Sequence, residues 1–264
     1  MADRVLAGRA HTGNVVLDLD GCLHVDDVAV PGARRALEIL SAAGIRLVMA
    51  TNNSTRTAAV VADRVGGIIG FPIDPASVVT SAMAAATMLR PMDQPVLVVG
   101  EAGLTDTLSG AGMTITDDPA SARAVVVGLD RKVTYDRLRR AARAVRLGAR
   151  FLGTNPDATL PTAGVPDPGA GAIIAAVERA VGRPAEYAGK PHEPMRRCVR
   201  ALLGPGPTWV VGDRAETDIA LGLAEGWTTV LVLTGVTTDP VEADPAPDHV
   251  LDTVAGLPGL VLQE

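Results

Sequence analysis

The sequence predicts an α/β protein: a doubly wound parallel sheet with a second α/β domain inserted into it. Short apolar runs, each the length of one strand, alternate with segments of helical periodicity, which is how parallel strands buried on both faces read. Several runs stop abruptly at polar residues, first at Asp18 and Asp20 after 15–17. The polar strand ends fall into two blocks of sequence, with Thr51 and Lys190 lying 139 positions apart. A strand-helix-strand crossover needs only about 30 residues.

In order, the run 15–17 is followed by a turn-prone stretch to Pro31. Ala33, Ala36, Leu37 and Leu40 then recur at helical spacing, with Gly44 as a stop. A strand over 45–50 ends in Thr51-Asn52-Asn53-Ser54, and a helix follows over 55–65. Pro72, Pro75, Pro91 and Pro95 break the next segment around a helix at 81–89. A fresh α/β series begins with strands at 96–99 and 124–127. In the helix expected at 134–147, Tyr135, Leu138, Ala142 and Val145 mark the apolar face, and most of the arginines fall on a solvated one. A strand at 151–154 ends in Asn155-Pro156-Asp157. A proline- and glycine-rich loop over 161–169 leads to a helix at 170–181. The last third returns to the first pattern. Gly189-Lys190-Pro191 precedes a helix at 194–203. A strand at 209–211 ends in Gly212-Asp213-Arg214, a helix covers 217–225, and strands follow at 229–233 and 249–251. The surplus between the two blocks, near 80–184, has strands and helices of its own. It therefore reads as an inserted domain, leaving 1–79 and 185–264 to fold together.

Whole-chain totals exclude several classes. A net charge of −6 with 2% aromatic residues argues against a nucleic-acid polymer or an anionic membrane as partner. No apolar run approaches the roughly 20 residues of a membrane span. Two cysteines, Cys22 and Cys198, fit a reducing cytoplasm rather than a disulfide framework. Residues 1–13 carry Arg4, Arg9 and His11 without a sustained apolar core, which speaks against a secretory signal.

The strand ends carry Asp18 and Asp20, Thr51, Lys190, and Asp213 with Asp218. In a parallel sheet such ends share one edge, where ligands bind. Several carboxylates held close need a counter-charge. Mg²⁺ fits, being a hard cation served by carboxylates, waters and phosphate oxygens. The four histidines show no metal-ligand spacing, so zinc is not expected. Metal, hydroxyl and ammonium together suit a phosphoryl group. One carboxylate can then attack phosphorus, and an acid two residues on can move protons.

Asp18-Leu19-Asp20-Gly21, Thr51-Asn52-Asn53-Ser54, Gly189-Lys190-Pro191 and Gly212-Asp213-Arg214 with Asp218 resemble the four ordered motifs of the haloacid dehalogenase-like phosphatases. The insertion resembles the cap of their class IIA subfamily, which includes p-nitrophenylphosphatases, phosphoglycolate phosphatases and glycerol-phosphate phosphatases. Similar in detail are Val127-Gly128-Leu129-Asp130, Thr154-Asn155-Pro156-Asp157, 168–172 and Leu233-Thr234-Gly235-Val236. Cys22 departs from the threonine more usual in the family.

The resemblance implies a Rossmann-like catalytic core with an inserted α/β cap over 80–184. It implies Asp18 as nucleophile and metal ligand, and Asp20 as general acid/base offering its carbonyl to the metal. Thr51 and the Asn52 amide would hold phosphate, with Lys190 neutralising it. Asp213 would be the remaining carboxylate on Mg²⁺, with Asp218 behind it orienting waters or Lys190. Asp130, Arg131, Asn155 and Asp157 of the cap are candidates to face the substrate. A small phosphorylated metabolite such as glycerol phosphate or phosphoglycolate is expected, with a nucleoside monophosphate or pyridoxal phosphate as alternatives. A homodimer through the cap is a further expectation. The rival from another class is an Asp-phosphorylated signalling receiver, against which the paired Asp18 and Asp20 and the insertion both speak.

Overall fold

The computed structural model describes residues 12–89, 94–160 and 165–263. The opening stretch with Arg4, Arg9 and His11, the break at Pro91, and the first four residues of the 161–169 loop lie outside the described residues.

The first series runs β1 (Asn14–Leu17), a tight ribbon of β2 (His24–Val25) and β3 (Val28–Ala29), α1 (Ala33–Ala42), β4 (Arg46–Thr51) and α2 (Ala58–Ile69). The middle series runs β5 (Val78–Thr80), α3 (Ser81–Leu89), β6 (Val96–Val99), α4 (Ala102–Gly110), β7 (Ala124–Val127), α5 (Tyr135–Arg146) and β8 (Arg150–Gly153). It ends with the ribbon β9 (Thr159–Leu160) and β10 (Asp167–Pro168), then α6 (Ala170–Val181) and β11 (Glu186–Tyr187). The last series runs α7 (Glu193–Arg200), β12 (Thr208–Gly212), α8 (Ala220–Glu225), β13 (Thr228–Val232), β14 (His249–Leu251) and α9 (Leu257–Val261). None of the described helices is long and apolar enough to cross a membrane.

The chain forms two compact units. One takes the chain up to Ala50, Asp63–Ser77 and everything from Val199; the other takes Thr51–Ala62 and Val78–Cys198.

In the first unit, strands lie side by side in the order β14-β13-β12-β1-β4, and every neighbouring pair is parallel. Every residue of β1 is buried, as its unbroken apolar run requires. Leu17 aligns with Met49 on one side and Val211 on the other. The chain passes from β1 to β4 on one flank, and the other flank is filled from far along the sequence by β12. That reversal of direction opens a crevice at the carboxyl ends of β1 and β12. Ala33, Ala36, Leu37 and Leu40 of α1 are buried, as their spacing predicts. Each fully buried leucine contributes about 1.5–3 kcal/mol. The helix expected at 217–225 opens differently: Ala215–Ile219 forms a turn of π-helix before α8.

In the second unit a four-stranded parallel sheet has the order β11-β8-β7-β6. Val125, Val127 and Phe151 pack against Ala141 and Val145 of α5 and Ile174 and Val177 of α6. The Thr134 side chain caps α5 by accepting from the Arg137 N–H at 3.3 Å. Its arginines are only partly a solvated face, because Arg137 reaches the buried Asp130.

Candidate active site

Asp18 and Asp213 stand immediately past β1 and β12, the two strands flanking the crevice. The Asp18 N–H continues the ladder to the Val211 carbonyl at 2.9 Å, so its side chain is set by the sheet itself. Asp218 comes from the π-turn after β12. Asp18, Asp213 and Asp218 are all buried, and one carboxylate oxygen from each lies within 4.8 Å of the others. Asp213 Oδ2 accepts from the Val236 N–H at 2.6 Å, and Asp218 Oδ2 accepts from the Arg214 N–H at 3.1 Å. Gly21, at φ 89°, lies where a Cβ would press on the Asp213 carboxylate.

Three buried carboxylates converging this closely offer one oxygen each to a shared point, an arrangement that could hold a metal ion. The donor set is entirely oxygen, which suits a hard divalent ion of the Mg²⁺ and Ca²⁺ kind. These residues therefore fit such a metal.

Asp20 is not one of the three. Its side chain is 41% exposed, and its Oδ1 lies 3.8 Å from His24 Nε2. His24 is buried, because the β2–β3 ribbon folds it inward. Its Nδ1 sits 3.0 Å from the Asp26 carbonyl oxygen, which leaves Nε2 turned toward Asp20.

In the second unit, Thr51, Asn52, Lys190 and Asn155 are buried, with Asp157 at the margin. Thr51 Oγ1 accepts from the Asn53 N–H at 3.0 Å. Asn52 Oδ1 accepts from the Lys190 N–H at 2.7 Å, and Asn52 Nδ2 donates to both Asp157 carboxylate oxygens at 3.1 and 3.2 Å. The Asn52 carbonyl accepts from Ser81 Oγ at 2.6 Å and Asn155 Nδ2 at 2.7 Å. A lysine as buried as Lys190 is stable only with anionic or hydrogen-bonding company.

The structure thus brings together Asp18, Asp213 and Asp218 in one unit, and Asn52, Lys190, Asn155 and Asp157 in the other. Asp130 and Arg131 are engaged elsewhere. The Asp130 carboxylate is held by Arg137 and by the Lys132 N–H at 2.9 Å, while Arg131 pairs with Glu101 at 2.8 Å. Sequence reasoning missed Ser81, which carries no motif signal. It also missed His24, whose only signal is its place four residues after Asp20.

Residues 15–114 match the haloacid dehalogenase-like hydrolase family, and residues 187–257 match a second, HAD-hydrolase-like family. Ribonucleotide monophosphatase NagD of Escherichia coli K12 is 38% identical over 248 residues, covering 92% of this chain and 96% of that one. Dihydroxyacetone phosphatase of Corynebacterium glutamicum is 35% identical over 246 residues, covering 91% of this chain and 88% of that one. Among solved structures, a glycerol phosphate phosphatase from Mycobacterium tuberculosis, in complex with calcium, superposes with a TM-score of 0.84. It is 33% identical and covers 92% of this chain and 74% of that one.

Proposed function

The chain belongs to the haloacid dehalogenase-like hydrolases, and from that we propose that it is a Mg²⁺-dependent phosphatase cleaving a small phosphomonoester through an aspartyl-phosphate. The observation that carries this reading is the trio of buried carboxylates at the ends of β1 and β12. Phosphatases that match it over most of their length supply the reaction class.

Asp18 is the nucleophile. Its carboxylate oxygen bonds to phosphorus as the bond to the leaving oxygen breaks, and Asp20 gives that oxygen its proton. Asp20 then takes a proton from the water that displaces the Asp18 carboxylate, so inorganic phosphate leaves and both acids return to their starting state. Thr51 and the Asn52 backbone amide hold phosphate oxygens, and Lys190 offsets their charge. Asp18, the Asp20 carbonyl and Asp213 would hold the metal, with Asp218 orienting the groups around it. When bound, Mg²⁺ supplies charge neutralisation at phosphate.

The domain reading is a catalytic core of 1–79 and 185–264 with a cap over 80–184 that excludes bulk water and selects the leaving group. Glycerol phosphate or phosphoglycolate is the substrate class favoured, because the insertion brings few aromatic residues, Tyr135 and Phe151. The 38% identity to a named ribonucleotide monophosphatase supports nucleoside monophosphates as the second reading. The protein works in the cytoplasm, as a homodimer joined through the cap. Supporting the dimer, a groove of about 440 Å³ runs between α5 and α6, with Tyr135 and Leu147 exposed at the two ends of α5.

The test is phosphate release over a panel of phosphometabolites and p-nitrophenyl phosphate, with Mg²⁺ and with chelator. Multiple Mg²⁺-dependent turnovers on at least one ester are expected. A single stoichiometric phosphorylation without release would point to a receiver, and quantitative conversion to an isomer to a mutase.

A further inference from the structure

We propose that Asp157 is a positioning residue for Lys190, acting through the side-chain amide of Asn52. This rests on the phosphatase reading, which gives Lys190 its task, and it moves Asp157 from reading the substrate to building the phosphate site.

The argument begins with an ambiguity in Asn52. The oxygen and nitrogen of an asparagine amide are nearly equal in size, so packing alone does not choose between its two orientations. Asp157 chooses. An ionised carboxylate only accepts hydrogen bonds, and both Asp157 oxygens face Asn52 Nδ2, at 3.1 and 3.2 Å. Turned over, the amide would set its oxygen against that carboxylate and its NH₂ against the Lys190 N–H. Held as it is, Oδ1 takes the Lys190 N–H at 2.7 Å, and Nδ2 also reaches the Lys190 carbonyl at 3.3 Å. One side chain therefore grips the lysine main chain on both sides. The bond to Asp157 is charge-assisted and stronger than a neutral one.

The rest of the network is arranged around this grip. Asn155 ties the two ends together, donating to the Asn52 carbonyl at 2.7 Å and accepting from the Asp157 N–H at 3.1 Å. The first turn of α6 holds the Asp157 main chain, with the Gly171 N–H on its carbonyl at 2.9 Å. Gly189 has no room for a side chain, because a Cβ there would strike Asn52 Oδ1. A lysine whose backbone is fixed in this way delivers its ammonium without reorganisation at the moment of reaction.

The experiment compares Asp157→Ala, Asn52→Asp and the double variant N52D/D157N with the wild type, on p-nitrophenyl phosphate and glycerol 3-phosphate with Mg²⁺. Misplacing Lys190 should lower kcat by ~10–100-fold on both esters alike, with KM moving much less. N52D alone sets two carboxylates face to face. The swap restores one donor opposite one acceptor and leaves an acceptor for the Lys190 N–H, so it should recover at least roughly tenfold in kcat over N52D. Should D157A fail to fold by circular dichroism, the swap comparison decides. A reordered substrate preference in D157A with undiminished kcat on p-nitrophenyl phosphate would overturn the positioning role, as would a folded double variant no faster than N52D. A wild type inert toward every phosphomonoester would instead overturn the phosphatase reading.

Discussion

The carboxylate of Asp213 is held by the loop after β13: the Val236 N–H donates to Asp213 Oδ2 at 2.6 Å, and the Thr237 N–H reaches the Asp213 carbonyl at 3.1 Å. Gly235, between β13 and these amides, lies so near the same carboxylate that any Cβ would overlap it. Gly235→Ala should therefore displace Asp213 rather than merely crowd it. The expected outcome is loss of most of the Mg²⁺-induced rise in melting temperature, and ~100-fold lower turnover. A thermal-shift titration with Mg²⁺ checks the first independently of activity. An unchanged titration would mean that Asp213 does not hold the ion.

Asp18 carries a second prediction. Asp18→Asn keeps the shape and removes the nucleophile, so turnover should fall by roughly a thousandfold or more. A phosphate-release assay with Mg²⁺ checks this, with circular dichroism to show that the variant is folded. A variant with near-normal phosphate release would remove Asp18 from its role.

What could be read from the sequence, and what could not, follows from where the ordering forces come from. β1 was readable because an unbroken apolar run ending in acids has few alternatives, and Asp18 inherited its place from that strand. α4 was not readable. Only Leu104 and Leu108 anchor it, and Gly103 is accommodated by the backbone at Thr55 and Arg56, a tertiary contact without a local pattern. α2 continues to Ile69 through Gly66 and Gly67, a pair that in isolation looks like a stop. The π-turn that delivers Asp218 shows only as helix in its residue pattern. Motif membership marked Asn52, yet its partner Asp157 lies 105 positions away, and no spacing rule connects them.

Asp248 offers a pH test at the edge of the sheet. Its carboxylate accepts from the Thr229 N–H and from Thr229 Oγ1, both at 2.8 Å. The Thr229 N–H first, and then the hydroxyl, hold the carboxyl below its ordinary value of 3.8. A lowered acid stabilises the fold while ionised, so its contribution is fully present above about pH 4 and is lost as the pH falls through the lowered value. Asp248→Asn should melt below the wild type at neutral pH, and the gap should close in acid. Melting curves between about pH 7 and pH 3 test this, and a gap that persists undiminished at the acid end would show that the negative charge contributes nothing.

The pair of Asp130 and Arg137 separates a structural role from a substrate role. Asp130 is 2% exposed, and its carboxylate is taken up by the Arg137 guanidinium and the Lys132 N–H. Arg137 lies half-buried above it on α5 and also reaches the Gly100 carbonyl at 3.4 Å. Arg137→Ala would leave a buried carboxylate without its cation. Breaking such a pair from one side costs about 2–4 kcal/mol when the remaining charge has little water. That corresponds to a fall in melting temperature of about 5–15 °C. Adding Asp130→Asn removes the orphaned charge, so the double variant should melt well above R137A alone. If the pair only holds β7 to α5, kcat/KM for p-nitrophenyl phosphate and glycerol 3-phosphate should stay within about threefold of wild type at temperatures where the variants are folded. A selective loss on one ester, with no change in melting temperature, would place Asp130 at the substrate instead.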